Sequence, residues 1–388
     1  MKKTVFYISF LIILFITNSC IEEFNAATTE FEDAIVIEAS LTDQLAFQKV
    51  LLSRTFKIDD TQNQLEKVSG ANVRVVSNST TYTFSETTSG TYTSDIQFRA
   101  ELDTDYQLLV TTQNGNEYQS EVTQLRSDTS NIENLYAVRE INDDGVDGVS
   151  IYLDSFDPSG NSIYYTLDIQ ETYQIIVPLW VKDGFHITSQ DPFLFNIGPR
   201  TQEERVCYNT INAKGRLVTN TSLLSEDRIS RFLVKFIPFN DIRLNSRYSI
   251  LVKQYTNTKR AYDFHETLTD LSSSGSIFSP VQPGFVAGNI VSVNNPNERV
   301  LGFFEVASIR EERMFFNAED FYPEGFDWNC RVGLPPETTI PLSTLIRTRK
   351  VSYFSGSGGA GSPIEVVFRR CGDCTKSGSN IKPNFWID

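Results

Sequence analysis

Histidine and methionine are nearly absent, with 2 of each in 388 residues. A serine or cysteine hydrolase of the usual kind needs a histidine base, and most zinc hydrolases need two or three histidine ligands. His186 lies between Phe185 and Ile187 in an apparent strand, and His265 follows Phe264 in an apparent helix, so a structural role is expected of each. Also missing are Gly-x-Ser-x-Gly, His-Glu-x-x-His and a P-loop, the signatures of hydrolase, metalloprotease and nucleotide chemistry. Basic residues number 34 against 49 acidic ones, for a formal charge of −15 with no extended basic block. Such a chain repels nucleic acid and anionic membrane surfaces. Past the first twenty residues there is no second long apolar run.

What is present begins at the N-terminus. Lys2 and Lys3 precede an apolar run from Val5 to Ile16, which ends in Thr17-Asn18-Ser19-Cys20. A basic start and an apolar stretch of about 7–15 residues read as an export signal, too short for a spanning helix of about 20 residues. The cysteine after a small residue looks like a bacterial lipobox, although Thr17 stands where Leu is usual. The alternative is an ordinary signal peptide with a free cysteine. The expectation is a signal peptide over residues 1–19, acylation of Cys20, and a polar tether over 20–33. Glu22 and Glu23 resemble the acidic signal that sends Bacteroidota lipoproteins to the outer face of the outer membrane; they also suit a solvated tether.

Four cysteines remain: Cys207, Cys330, Cys371 and Cys374. In an exported protein an even number suggests two disulfides. A four-thiolate zinc site is the competitor, but Cys207 and Cys330 lack the close spacing of a second half-site. Three pairings are open, with Cys371–Cys374 disfavoured because so small a ring is strained. Asn142-Asp143-Asp144-Gly145-Val146-Asp147-Gly148 clusters carboxylates as a calcium loop does, but Gly145 falls where a ligand belongs, and a turn between strands is the simpler reading. No pair of carboxylates stands out as a glycosidase would require. Neither a cofactor nor a catalytic residue is therefore assigned.

Along the chain, short alternating segments separated by turn residues predict a mainly β protein. Residues 34–128 read as an immunoglobulin-like β-sandwich, with Ile35-Val36-Ile37-Glu38-Ala39 and Ala71-Asn72-Val73-Arg74-Val75-Val76 apolar at every second position. Gln113-Asn114-Gly115-Asn116 marks a hairpin. Residues 129–388 form a larger β-rich unit, with strands expected at 149–153, 164–177, 232–237, 248–255, 300–309 and 365–368. Within it Ala261, Phe264, Leu268 and Leu271 recur at helical spacing, predicting one amphipathic helix over 259–272. The glycine-serine stretch 355–362 reads as a loop. Aromatic residues at 173–180, with Phe185, and at 320–328 either line a contact surface or cap sheet edges.

In their order, several of these segments resemble a family of Bacteroidota surface lipoproteins carrying the domain of unknown function 4249. The first unit shows Leu51-Leu52-Ser53-Arg54, Val68-Ser69-Gly70-Ala71-Asn72-Val73 and Gly90-Thr91-Tyr92. The second shows Tyr248-Ser249-Ile250-Leu251-Val252-Lys253-Gln254, Gly288-Asn289-Ile290, Val300-Leu301-Gly302-Phe303-Phe304, and a tail of Cys371-Gly372-Asp373-Cys374 with Pro383-Asn384-Phe385-Trp386. The resemblance implies no catalytic residues. It implies an outer-membrane lipoprotein, facing the cell exterior, that partners a TonB-dependent β-barrel in substrate uptake. Service to outer-membrane assembly machinery and a surface carbohydrate-active enzyme are the alternative expectations.

Overall fold

The computed structural model describes residues 34–55, 66–273, 286–333, 340–358 and 361–388. The expected signal peptide, Cys20 and the tether lie outside these residues. The chain is mainly β, with few short helices.

The first core is built by β1 (Ile35–Thr42), β2 (Lys49–Arg54), β3 (Glu66–Lys67), β4 (Asn72–Ser77), β5 (Thr81–Thr88), β6 (Thr91–Ser94), β7 (Asp105–Thr111), β8 (Glu117–Ser120) and β9 (Thr123–Gln124). Period-two patterning does what it should: Ile35, Ile37, Ala39 and Leu41 of β1, and Tyr106, Leu108 and Val110 of β7, all point into one core. The next strands are β10 (Asn131–Ile141), β11 (Asp147–Phe156), β12 (Tyr164–Ile176), β13 (Asp183–Gln190), β14 (Phe193–Pro199), β15 (Val206–Asn212), β16 (Leu217–Asn220), β17 (Arg228–Pro238) and β18 (Arg247–Thr256). They are followed by helix α1 (Lys259–Ser273), β19 (Ile290–Ser292), β20 (Val300–Asn317), helix α2 (Leu342–Arg347), β21 (Val351–Ser355), β22 (Glu365–Phe368) and the single-turn α3 (Arg369–Gly372).

The second core is filled from two facing sheets. One runs β15-β12-β18-β20 and the other β10-β11-β17. Gln254 Nε2 crosses between them, donating to Ser130 and Ser155 Oγ at 2.8 Å each. The expected carboxylate cluster at 142–148 is the β10–β11 turn, closed by Asn142 Oδ1 accepting from the amides of Asp144 and Val146. Both aromatic segments contribute to this core: Trp180, Phe321 and Trp328 pack on it, and Tyr322 is buried with its ring 4.4 Å from that of Phe239, whereas Phe185 packs on a smaller cluster around Leu345 and Val351.

Strand β20 belongs to both units. Its first half pairs in parallel with β1, from Ile35↔Val300 to Thr42↔Ala307, and its second half pairs antiparallel with β18, from Thr256↔Ser308 to Arg247↔Asn317. The first core is therefore discontinuous in sequence, because Ile290, Val300, Phe304 and Val306 complete it. Its strands follow one path, β20-β1-β2-β6-β5-β4-β7-β8-β19. The two ends of that path meet through the buried Asn289, whose side chain copies a strand pairing: Nδ2 donates to Phe304 O at 2.7 Å and Oδ1 accepts from Phe304 N at 2.8 Å.

Both expected disulfides are present, as Cys207–Cys374 and Cys330–Cys371, so the two cysteines of the Cys-x-x-Cys motif take separate partners. The first ties the C-terminal tail to β15, beside which Trp386 is buried against Tyr208 and Phe315, and the second ties it to the segment that follows β20. With sequence separations of 167 and 41, each taken alone constrains the unfolded chain by about 4–5 kcal/mol on the loop-entropy model.

Two glycines make the seam around β20 possible. Gly302 has φ +99°, and a Cβ there would stand 2.0 Å from Ile37 O; a Cβ on Gly288 would stand 1.7 Å from Gly302 O. Gly302→Ala should therefore cost at least about 3 kcal/mol, from positive-φ strain plus backbone separation. Gly115→Ala, at φ +86° with open space around it, should cost only about 1 kcal/mol. Equal urea midpoints for the two variants would mean that the β1–β20 seam tolerates opening.

Candidate functional site

Where the two units meet, a cleft of about 910 Å³ opens between the outer face of β1 and β2, the middle of β12 and β18, the Asn212–Arg216 turn, helix α1 and β20. Helix α1 spans Lys259–Ser273, close to the expected range, and packs on β12, β16 and β20. Its burial differs from the expected stripe. Ala261 and Tyr262 are buried and the Phe264 ring lies 5.0 Å from that of Phe303, but Leu268 is 42% exposed and faces the cleft.

The floor is a network of charges. Glu305 sits on β20 opposite Ser40 of β1 and is buried. Arg216 reaches it from the turn after β15, with Nη1 2.6 Å from Glu305 Oε1, while its Nε donates to Asp168 Oδ1 on β12 at 3.0 Å. His265 on α1 places Nε2 3.1 Å from Glu305 Oε2 and 3.2 Å from Arg216 Nη1. The guanidinium also lies over the Tyr255 ring, 4.3 Å from its centre. One carboxylate thus joins the first unit, the second unit and the helix.

Electrostatics follow from that geometry. Burial alone would push Glu305 up, but the Arg216 cation, helped by His265, outweighs it and holds the carboxyl well below the usual range. Burial pulls the Arg216 guanidinium down, and the carboxylates of Glu305 and Asp168 more than reverse this. Burial pushes the Tyr255 phenol up, with Asp168 adding to it. A carboxyl held this way carries no proton to give at neutral pH, and general-acid chemistry needs the opposite shift. The floor is suited to holding charge in place. Above it, Lys49, Lys214 and Glu38 line the cleft as exposed charges, beside the half-exposed apolar surface of Leu51 and Leu268.

His265 is thus structural in that it pins the floor, as expected, and it also lines the cleft. His186 sits on β13 with Nε2 2.9 Å from Pro199 O, bordering a second, smaller cleft. Arg216, Asp168 and Glu305 were not singled out by sequence reasoning. A signal existed in Glu305, the one charged residue in the largely apolar run Val300–Ile309, since a charge inside a buried strand requires a partner. The stretch Gly356-x-Gly358-x-x-Gly361 carries the letters of a dinucleotide loop, but it joins the antiparallel strands β21 and β22, not a strand and a helix as that fingerprint requires, and residues 359–360 lie outside the described ones. Among the described residues no group of three or more His, Cys, Asp or Glu side chains is placed to hold a metal ion.

A mainly β chain whose two larger cores are joined through one strand, with a charged cleft at the junction, is the structural class in hand. The chain belongs to the family described as Domain of unknown function (DUF4249), whose profile matches residues 21–313. That range runs through both cores and ends within β20, so the cysteine-rich tail lies beyond it. No curated protein matches the chain.

Glu305→Gln leaves Arg216 buried with one counter-charge fewer and should cost about 3–5 kcal/mol. The folded-state pKa of Glu305 lies below its ordinary 4.5, so its contribution is complete above that pH and drains away as pH falls further. Urea midpoints of the parent chain should therefore drop more steeply below pH 4.5 than those of Glu305→Gln. Parallel curves would show that the carboxylate is not what binds the floor together.

Proposed function

We propose that this protein is a non-catalytic binding lipoprotein of the outer membrane, facing the cell exterior, which partners a TonB-dependent β-barrel in substrate uptake and seats its ligand in the cleft between its two units. The carrying observation is the cleft itself. It is large enough for a small-molecule ligand, within the range of about 300–1,000 Å³ typical of such sites. It is walled by both units, and its buried charges are already neutralised, which favours capture over proton transfer. The lipobox-like segment ending in Cys20 and the acidic Glu22 and Glu23 support anchoring and surface display, in keeping with the Bacteroidota lipoprotein reading. A lipid anchor suits a chain in which none of the described helices is long and apolar enough to cross a membrane.

The test is a mild-detergent pull-down of the tagged chain from its native outer membrane, read by mass spectrometry, beside a Cys20→Ser variant. A stoichiometric TonB-dependent barrel should co-purify with the parent, and Cys20→Ser should shift the protein to the soluble fraction. Recovery of an assembly-machine barrel instead, or of no barrel, would overturn the uptake reading. Membrane retention of Cys20→Ser would overturn the anchor.

A further inference from the structure

The second cleft, about 330 Å³, lies between the β13–β14 hairpin, the residues after β14, and the β21 and α3 region stapled by the disulfides. Its character is opposite to that of the whole chain. Three guanidiniums, from Arg200, Arg349 and Arg369, line it against two carboxylates, from Glu204 and Asp373, in a protein of net charge −15.

Both carboxylates are committed. Asp373 Oδ2 accepts from Arg369 Nε at 2.7 Å and Glu204 pairs with Arg200 Nη1. Arg369 spends a further donor on Thr375 Oγ1 at 3.2 Å. Arg200 Nε donates to Val181 O at 2.9 Å, which leaves Nη2, buried and without a hydrogen-bond partner, on a side chain only 7% exposed. Arg349 is exposed at the rim, with no ion-pair partner among the described residues. Thr201, Gln202 and Ser352 add neutral hydrogen-bonding groups. Buried guanidinium donors are normally paired, and a forked guanidinium matches the geometry of carboxylate and phosphate oxygens.

We propose that this cleft binds a small oxyanion, a carboxylate or phosphate group, held between Arg200 and Arg349. The volume admits a compact anion rather than a polymer segment. The site is separate from the inter-unit cleft and independent of the proposed function.

Titration calorimetry on the detergent-solubilised full chain, at constant ionic strength, tests this with sodium malonate, sodium phosphate and sodium chloride as titrants. Saturable binding of malonate, phosphate or both, absent with chloride, is expected. Malonate alone would identify a carboxylate ligand, phosphate alone a phosphoryl group, and both a general oxyanion seat. Arg349→Ala, a surface change that leaves the core untouched, should weaken binding at least tenfold. Arg200→Met should abolish it, provided circular dichroism shows the fold retained. Absence of saturable heat with both anions, or affinity unchanged in Arg349→Ala, would overturn the proposal.

Discussion

Strand β20 is the constraint on which the rest of the molecule depends. A strand can satisfy two sheets at once only if each half finds its own partner, and here the change of partner falls between Ala307 and Ser308. Everything near that point is adapted to it. Gly302 and Gly288 remove the side chains that would hold three backbones apart, and Asn289 supplies the hydrogen bonds that a neighbouring strand cannot. Glu305 follows three residues after Gly302, so the seam that fixes the two units also delivers a carboxylate to the junction. Cleft and scaffold are consequences of one element.

The buried charges obey a common rule in a chain with a large acidic excess. Among the described residues, Glu171, Asp227 and Glu305 are each buried and engaged by several partners. Glu171 is held by Arg243, Lys235 and the Tyr248 hydroxyl. Asp227 accepts from the amides of Ser162 and Ile163 and from the hydroxyls of Tyr165 and Thr221. Glu305 follows the same logic with Arg216 and His265. Burying a charge is tolerable when hydrogen bonds, with or without an opposite charge, replace its water. The floor of the cleft is thus built like the interior, and only its rim is open for negotiation with a ligand.

Much of the fold was legible because alternation is a local signal. The strands around Ile35–Ala39 and Ala71–Val76 and the helix beginning at Lys259 could be read from apolar spacing, the β7–β8 hairpin from Asn114-Gly115, and the cysteine count pointed to two bridges, whereas the two-residue strands β3 and β9 carry no such signal. The return of β19 and β20 to the first core was not legible. It depends on a parallel pairing between residues 265 positions apart, from Ile35 with Val300 to Thr42 with Ala307, and no local pattern encodes which edge a strand will choose. Strand β20 also ran past its expected end at Ile309, because Arg310 to Arg313 look polar and yet remain paired with β18. The site was less visible still. Arg216, Asp168 and His265 come from a turn, a strand and a helix that only tertiary packing brings to Glu305.

The discontinuous first core also sets an order of events. A chain made from its N-terminus presents β1 to β9 early, yet the strand that pairs β1's open edge and the asparagine that closes the ring arrive only after the whole of β10 to β18 and the helix. Until then β1 offers unpaired backbone groups, the kind of edge on which chains associate with one another. Contacts this distant in sequence form slowly. The second core waits for the same strand and for the segments after it, because Phe316, Ala318, Tyr322 and Cys374 belong to it. Both cores are thus closed by the last third of the chain, and until β20 docks the edge of β1 is open to other copies.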